Sequence, residues 1–518
     1  MLGLNKEWGY SHLNFSSYND LQEIPDGSRD STTSKFTKQV TEDDMFRPIV
    51  TDSELNTYKI SPLHQHIRHY KLYSSNNLIL GNAGRISIEA GFQQNIRQEF
   101  SHPGIISVPG LDLVLTSLTY DIKYFLPELH GWELITGING MYQKNLNRGS
   151  EFIIPDYSQV DFSPFLVIKK TSGRLDISGG LRLDLRLFSG QEMHTGKNPL
   201  TGFDMIVNSI YSTLAFSKSD RTFSGLTGSI GAAFNFSGNM SVKADIARGY
   251  RSPNISEISA NGVHPGTGIY QVGNLDKPEF SLQENLGLFF NTRYINGSVE
   301  LFNNNLTNYI FNQKLHGRNG GDSVITRGTA TYKFQQSDAH INGGEVNLDI
   351  HPNPLDWLHF ENSLSFILAE NKGANGLHIN DSTRYLPFIP PLHFHSELRA
   401  GIKMKILCFS GLYLKISLDH FASQYRVYLE NGTETPTAWY TLLNSGFGSD
   451  IRDKHGRRLM SIMVIVDNIT NIAYQSHLSR LKYMDFYVSK EGTPVTVSRP
   501  GSGIYNMGRN ISIKVSVP

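Results

Sequence analysis

Histidines are the residues of this chain whose type and position could bind a metal. His264 lies in the segment NGVHPGTG, and His64 and His66 lie in the segment HQHIRH. Imidazole nitrogens are common ligands of zinc, copper and haem iron. Residues two positions apart share one face of a β-strand, so His64 and His66 could bind one ion together if a strand begins before them. The alternative is that all three are ordinary polar side chains of solvated loops.

Four other side chains could contact an anionic metal chelate. Tyr250 and Arg251 precede a long loop rich in Gly, Asn, Ser and Pro, Tyr270 lies within that loop, and Arg384 follows another polar segment. Phenol groups donate hydrogen bonds and guanidinium groups carry a permanent positive charge, so both suit a chelate with anionic oxygens. The same side chains could instead pack the ends of strands against their loops.

The composition excludes several functional classes. The chain has no Gly-x-Ser-x-Gly, no His-Glu-x-x-His, no phosphate-binding loop and no Cys-x-x-Cys, so we expect no enzymatic activity and no intrinsic cofactor. The 47 basic and 47 acidic side chains cancel, which argues against nucleic acid as the main partner. The single cysteine, Cys408, cannot form a disulfide within the chain.

The elements that must position these residues are β-strands. Apolar and polar residues alternate in many segments, for example over 85–97, 174–187 and 510–517. Several of these segments have about ten or more residues, whereas strands of soluble proteins usually have about five or six. A strand of about ten residues can cross a bilayer when it is tilted, and no run of about 18 apolar residues predicts a transmembrane helix.

Short and long connections alternate between these strands. Short turns are predicted at 126–131, 170–173, 237–240 and 452–456, and long loops at 21–66, 144–158, 189–222, 251–278, 314–329, 369–386, 424–437 and 475–505. Aromatic residues near strand ends suit two membrane interfaces; they are Trp132, Tyr142, Tyr309, Phe311, Trp357 and Phe421. This layout predicts an all-β, transmembrane antiparallel β-barrel that takes up residues 1–518 and contacts outer-membrane lipid.

Five segments resemble the TonB-dependent outer-membrane receptors. RGYRSPN at 248–254 is similar to the family's RGFRAPN box, and GNLDKPE at 273–279 is similar to its GNPxLKPE box. RYLPFIPP at 384–391, VIVDNITNIAY at 464–474 and the closing GRNISIKVSVP at 508–518 resemble later parts of the same barrel, although the aromatic residue that usually ends the family's last strand is absent. The resemblance covers essentially the whole chain.

The resemblance implies a fold and a function. Receptors of this type close about 22 strands around a plug, and the alternation in this sequence predicts about 19 strands that begin at residue 2. We therefore expect the C-terminal barrel portion of a receptor, without the plug, the first strands or an export signal. The implied function is TonB-dependent uptake of a ferric siderophore, haem or a metal complex across the outer membrane of a Gram-negative, Bacteroidetes-like cell. The resemblance also places His264 where haem receptors of the superfamily hold an iron-ligating histidine.

Two other interpretations of the sequence remain open. The chain could be an outer-membrane pore without a plug, which predicts an ungated conductance, or a soluble extracellular β-rich binding module, which predicts recovery without detergent. An incomplete barrel would leave two unpaired strand edges that lipid cannot satisfy. For that reason we expect that this chain by itself is not an active transporter.

Overall fold

The fold is that of a computed structural model. The structure describes residues 1–24, 28–30, 32–33, 35–42, 46–81, 83–208, 212–264, 268–273, 275–316, 330–352, 354–373, 379–402, 408–432, 434–483, 486–489, 496–498 and 503–517.

Within these ranges almost all regular structure is β-strand. The strands are β1 (Leu2–Lys6), β2 (Gly9–Glu23), β3 (Arg29–Asp30), β4 (His64–Ile79), β5 (Arg85–Phe100), β6 (Leu111–Phe125), β7 (Trp132–Asn147), β8 (Tyr157–Ser172), β9 (Leu175–Gly190), β10 (Met193–Lys197), β11 (Asp204–Ile206), β12 (Thr213–Phe216), β13 (Ser219–Ser237), β14 (Met240–Arg251), β15 (Gly262–His264), β16 (Gly268–Gln271), β17 (Glu279–Asn291), β18 (Ile295–Leu315), β19 (Thr331–Ile350), β20 (Leu358–Asn371), β21 (His393–Ile402), β22 (Phe409–Phe421), β23 (Tyr440–Arg452), β24 (Arg458–Asp467), β25 (Phe486–Ser489), β26 (Thr496–Ser498) and β27 (Asn510–Ser516). The helices are α1 (Asp52–Leu55), α2 (Ile255–Ser259) and one 3₁₀ turn (Arg480–Tyr483). None of the described helices is long and apolar enough to cross a membrane.

Nineteen of the strands form one antiparallel sheet in which each strand pairs with the next one along the chain. They are β1, β2, β4 to β9, β13, β14, β17 to β24 and β27. The sequence prediction of an all-β fold with about 19 antiparallel strands is therefore confirmed. The hairpin of β15 and β16 joins this sheet through a parallel pairing of β16 with β19. The remaining six strands form two small sheets in the long loops.

The two ends of this sheet are open edges. Among the described residues, β1 pairs only with β2, and β27 pairs only with β24. Every residue of β1 is exposed, and so are the last six residues of β27. In the part of the chain that the structure describes, β1 and β27 are therefore the two edge strands of this sheet.

The two faces of the sheet differ in polarity. On the apolar face, Leu72 lies opposite Phe92, and both side chains are exposed, as are Leu181 and Ile230 further along the sheet. On the polar face the side chain of Glu99 is largely buried among polar neighbours. A continuous exposed apolar face on strands of 15 or 16 residues suits contact with lipid, and the polar face would then line the lumen of a barrel.

Short and long connections alternate, as the sequence predicts. The two-residue turn between β8 and β9 contains Gly173, whose φ of 62° suits a tight hairpin turn. The long connections join the opposite ends of the strands, at 24–63, 101–110, 148–156, 191–218, 252–278, 316–330, 372–392, 422–439 and 468–509.

Three local features differ from the sequence predictions. The strand β4 begins at His64, inside the loop predicted at 21–66, so His64 and His66 lie within the strand. The long loop at 252–278 contains the helix α2, because Asn254 and Glu257 form a reciprocal capping box at its start. Phe311 is only 7% exposed and contacts Tyr428 of a loop, so its assignment to a lipid interface was wrong.

Candidate functional site

The long-loop end of the sheet holds most of the side chains that the sequence proposed as ligand contacts. Arg251, at the end of β14, donates hydrogen bonds to both carboxylate oxygens of Glu257 at 2.9 Å and to Glu279 at 2.9 Å. Glu257 belongs to α2 and Glu279 begins β17. The guanidinium of Arg251 therefore fastens both ends of the 252–278 loop to the sheet, whatever further contact it makes with a ligand.

Tyr250 packs in an aromatic cluster beneath this loop. Its neighbours include Tyr157, Phe188 and Phe223, which are all at least 94% buried, and Ile258 of α2. These contacts agree with the alternative, packing role that the sequence left open for Tyr250. Its contact with a cargo stays a prediction.

Charged residues on the polar face lie directly below Tyr250, and they were missed as site residues. Arg186 donates two hydrogen bonds to Asp161, at 2.6 and 2.7 Å, and Arg182 donates one to Asp184 at 2.7 Å. With Tyr250 they line a cavity of about 260 Å³. The regular placement of Arg182, Asp184 and Arg186 on alternate positions of β9 is the signal that could have identified them, because alternate residues share one face.

Tyr270 lies in an aromatic stack on the β16 strand. Its ring is 6.1 Å from that of Tyr332 and 6.2 Å from that of Phe334, which both belong to β19. The parallel pairing of β16 with β19 places Tyr270 directly beside Tyr332. The hairpin is thus held against the sheet by both backbone and ring contacts.

Arg384 is the most accessible of the proposed contacts, because its side chain is 55% exposed. Its guanidinium forms an ion pair with Glu370 at 3.2 Å and lies 5.4 Å from the centre of the Tyr385 ring. An exposed guanidinium with one carboxylate partner can still contact an anionic ligand. In the part of the chain that the structure describes, Arg384 does not contact Arg251 or Tyr250.

A buried polar network joins three long loops at the same end, and no pattern in the sequence predicted it. Glu434 and His477 are 98% and 99% buried, and their side chains hydrogen-bond at 2.8 Å. Lys482 donates to the backbone carbonyls of Thr435 and Pro436 at 3.0 and 2.9 Å. Burial lowers the pKa of Lys482 to about 8, although the negative charge of Glu434 opposes this change.

The three histidines proposed as metal ligands are in different places. The backbone of His264 ends β15 and pairs with that of Gly268, while its side chain lies outside the described part of the structure. His64 and His66 share the apolar face of β4 with Leu72, at the long-loop end. His64 stacks on Phe100 with 4.4 Å between the ring centres, and His66 lies 2.8 Å from the amide oxygen of Asn19. Joint metal binding by His64 and His66 stays a prediction.

Known proteins share both the sequence pattern and the fold of this chain. Residues 3–469 match the family described as TonB dependent receptor-like, beta-barrel. Three similar solved structures are the copper transporter OprC (15% identity, TM-score 0.65), the FrpB iron transporter from Neisseria meningitidis (12%, 0.62) and the ferric yersiniabactin uptake receptor FyuA from Yersinia pestis (14%, 0.60). The matches cover 88%, 99% and 98% of this chain, respectively, but only 66%, 70% and 68% of those chains, so this chain spans about two thirds of their length.

Proposed function

Because the chain belongs to the TonB-dependent receptor family, as its β-barrel, we propose that it is the barrel of an outer-membrane receptor that imports a scarce metal complex. Members of this family are transporters and not enzymes. In this proposal the apolar face of the sheet contacts outer-membrane lipid and the polar face lines the transport path. The TonB complex would supply the energy for uptake by the intact receptor.

The cargo that we propose is a ferric siderophore, haem or another metal complex. Similar structures include a copper transporter, an iron transporter and a receptor for ferric yersiniabactin, so metal cargo is common among the proteins that share this fold. The exposed guanidinium of Arg384 and the phenol of Tyr270 suit an anionic chelate. If the cargo is haem, His264 is the residue that we propose as its iron ligand.

The observation that carries this proposal is the division of the sheet into an apolar and a polar face, with long loops at one end only. The polar face carries charged pairs such as Arg186 with Asp161, and the cavity beside them lies under the long loops. A path lined by fixed charges and covered by long loops fits a receptor that binds its cargo at the outer surface before transport.

Uptake by cells tests this proposal. The complete gene that contains this chain is deleted from its native host and restored on a plasmid, and the uptake of radioactive iron is measured with siderophore or haem as the carrier. We expect restored uptake of one carrier, and loss of that uptake when the proton gradient is collapsed. Restored uptake that persists without the gradient would refute the TonB-dependent proposal.

Two measurements separate the other interpretations. A steady, ungated conductance of the purified chain in planar bilayers would support an outer-membrane pore. Recovery of the folded chain without detergent would support a soluble binding module.

Replacing His264 by alanine tests its proposed role as a haem ligand. The variant should lose binding of haem but not of a siderophore, and unchanged haem binding would exclude His264 as the ligand.

A further inference from the structure

A compact group of metal-ligating side chains lies at the short-turn end of the sheet, far along β19 from the long loops. Asp349 is near the end of β19, His351 follows it in the turn, and His359 is the second residue of β20. Their ligand atoms all lie within 4.8 Å of one another. None of these three residues belongs to a motif that the sequence alone makes recognisable.

Strand register explains why the three side chains meet. Asp349 pairs with Glu361 across β19 and β20. Because β19 and β20 are antiparallel, the same register continued by two residues places His351 opposite His359. His359 is two residues before Glu361, so the side chains of His359 and Glu361 share the polar face with that of Asp349.

The distances suit one tetrahedral ion. The Nδ1 atom of His359 is 3.1 Å from Oδ2 of Asp349, and the Nδ1 atom of His351 is 3.5 Å from the same oxygen. The two imidazole ring centres are 5.8 Å apart. Ligand atoms that are each about 2.0 Å from a zinc ion lie about 3.3 Å apart at a tetrahedral angle. The observed separations lie on either side of that value.

Two buried polar atoms at this place have no hydrogen-bond partner in the described structure. One is Nδ1 of His351, which faces Asp349, and the other is Oδ1 of Asn296. Asn296 lies directly opposite Asp349 on the neighbouring strand β18. Buried polar atoms without a partner are uncommon and costly, so both suggest a missing ligand. An ion held by Asp349 and His351 would satisfy the imidazole, and Asn296 is placed to face it.

The charges around the group favour the binding of a cation. Glu361 lines the same cavity as Asp349 and Asn296 and adds a second carboxylate. The cation on the other side is Arg399, opposite His359 on β21, but its guanidinium lies 4.9 Å from the centre of the Tyr413 ring. The local charge is therefore favourable for a cation.

We propose that Asp349, His351 and His359 bind a divalent first-row transition-metal ion of the zinc class. Two imidazoles and one carboxylate are ligands that such ions prefer, whereas calcium and magnesium prefer oxygen ligands alone. Three protein ligands leave a fourth position for water or for the oxygen of Asn296. The ion would connect β19 to β20 at the end of the lumen opposite the cargo loops, so this site is separate from the proposed cargo contacts.

Cobalt titration tests the site. The full chain is purified in detergent without a polyhistidine tag, stripped of metal with a chelator and titrated with Co²⁺, and visible absorption is recorded. We expect bands that saturate at one ion per chain and vanish when Zn²⁺ is added. A wild-type chain that gives no saturable bands overturns the proposal.

Two ligand variants and one matched control locate the ion. His359→Gln and Asp349→Asn should each weaken Co²⁺ binding by at least about tenfold. His393→Gln is the control, because His393 contacts another carboxylate, that of Asp419, at 3.0 Å. It should leave the affinity unchanged.

Folding of each variant is first compared with that of the wild type by its resistance to unfolding in SDS. If His359→Gln does not fold, Asp349→Asn decides the question, since it keeps the size of the side chain. Wild-type affinity in either folded ligand variant overturns the proposal, as does an equal loss in the His393→Gln control.

Discussion

Replacing Glu434 by alanine should release three long loops from one another. Oε2 of Glu434 accepts hydrogen bonds from the backbone N–H groups of Phe388 and Tyr428, at 3.1 and 3.2 Å. Oε1 accepts one from the imidazole of His477 at 2.8 Å. Phe388 belongs to the 372–392 loop and His477 to the 468–509 loop, so one carboxylate connects both loops to its own.

The expected cost follows from the burial of this carboxylate, whose side chain has no exposed surface. The alanine variant removes the acceptor of three donors, two of which are buried, namely the N–H of Tyr428 and the imidazole of His477. Each buried donor that loses its partner costs about 1–3 kcal/mol. For two such donors the summed cost is about 2–6 kcal/mol, with a central value of about 4 kcal/mol. Since about 1.4 kcal/mol changes an equilibrium tenfold, loop opening should increase by about two to three orders of magnitude.

Hydrogen–deuterium exchange of the purified barrel measures this opening loop by loop. In Glu434→Ala we expect faster exchange near Phe388, Tyr428 and His477, and unchanged exchange in the strands. Glu192→Gln is the control, because Glu192 also contacts an imidazole, that of His194 at 3.0 Å, but is 58% exposed. An exposed pair contributes at most about 1 kcal/mol, so this control should change exchange by less than about fivefold. If exchange in Glu434→Ala changes no more than in the control, Glu434 does not hold the loops together.

Three further predictions concern other parts of the chain. Folding lowers the pKa of Lys482 to about 8, so between about pH 8 and pH 10 the unfolded segment holds a proton that the folded segment has lost. The stability of the loop should therefore rise with pH across this window, which is measured as slower proteolysis of the 468–483 segment. Lys482→Met should remove this rise. Glu257→Gln removes one of the two carboxylates that contact Arg251, whose side chain is 41% exposed, so it should cost only about 1 kcal/mol and increase protease cleavage within 252–278. A double-mutant cycle with Glu279→Gln measures the coupling between the two carboxylates. Additive effects of the two substitutions would contradict a shared guanidinium. Gly9 has a φ of 129°, and an added Cβ would lie 1.8 Å from the carbonyl oxygen of Asn77. Gly9→Ala should therefore prevent correct pairing of β2 with β4 and lower the yield of SDS-resistant barrel. Gly81→Ala is the control, because its added Cβ meets no atom within 4 Å, and equal yields of the two variants would refute this account.

Alternation of polarity predicted the strands well, because one face of the sheet is apolar and the other is polar. The stretch 85–97 alternates except at Gln94, and it forms most of β5 with the predicted faces. The order of short and long connections was also visible, since turns and loops differ in their glycine and polar content. What the alternation could not supply is which residue lies opposite which. The contacts of Asp349 with His359, and of Glu434 with His477, depend on pairings and loop positions that no local pattern encodes.

A single irregularity shows why faces cannot always be assigned by counting. The pairing of β18 with β19 shifts by one residue between Leu306 and Tyr309, where Asn308 has a φ of 56°. A bulge of this kind moves every later side chain of the strand to the opposite face relative to a strict alternation. Phe311 follows the bulge and is buried against Tyr428, instead of facing lipid as its position near a strand end suggests.

The bulge also connects the sheet to the long loops. Asn308 donates a hydrogen bond to the carbonyl of Pro278 at the end of the 252–278 loop, and its own N–H donates to Asp338. The neighbouring residue Ile310 donates its N–H to Glu279, the carboxylate that also holds Arg251. The irregular residue therefore helps to position the 252–278 loop, which carries Tyr270 and is held to the sheet by Arg251. Because bulges are sites where a strand changes the direction of its side chains, the loss of simple alternation at Asn308 is itself a sign of the candidate site.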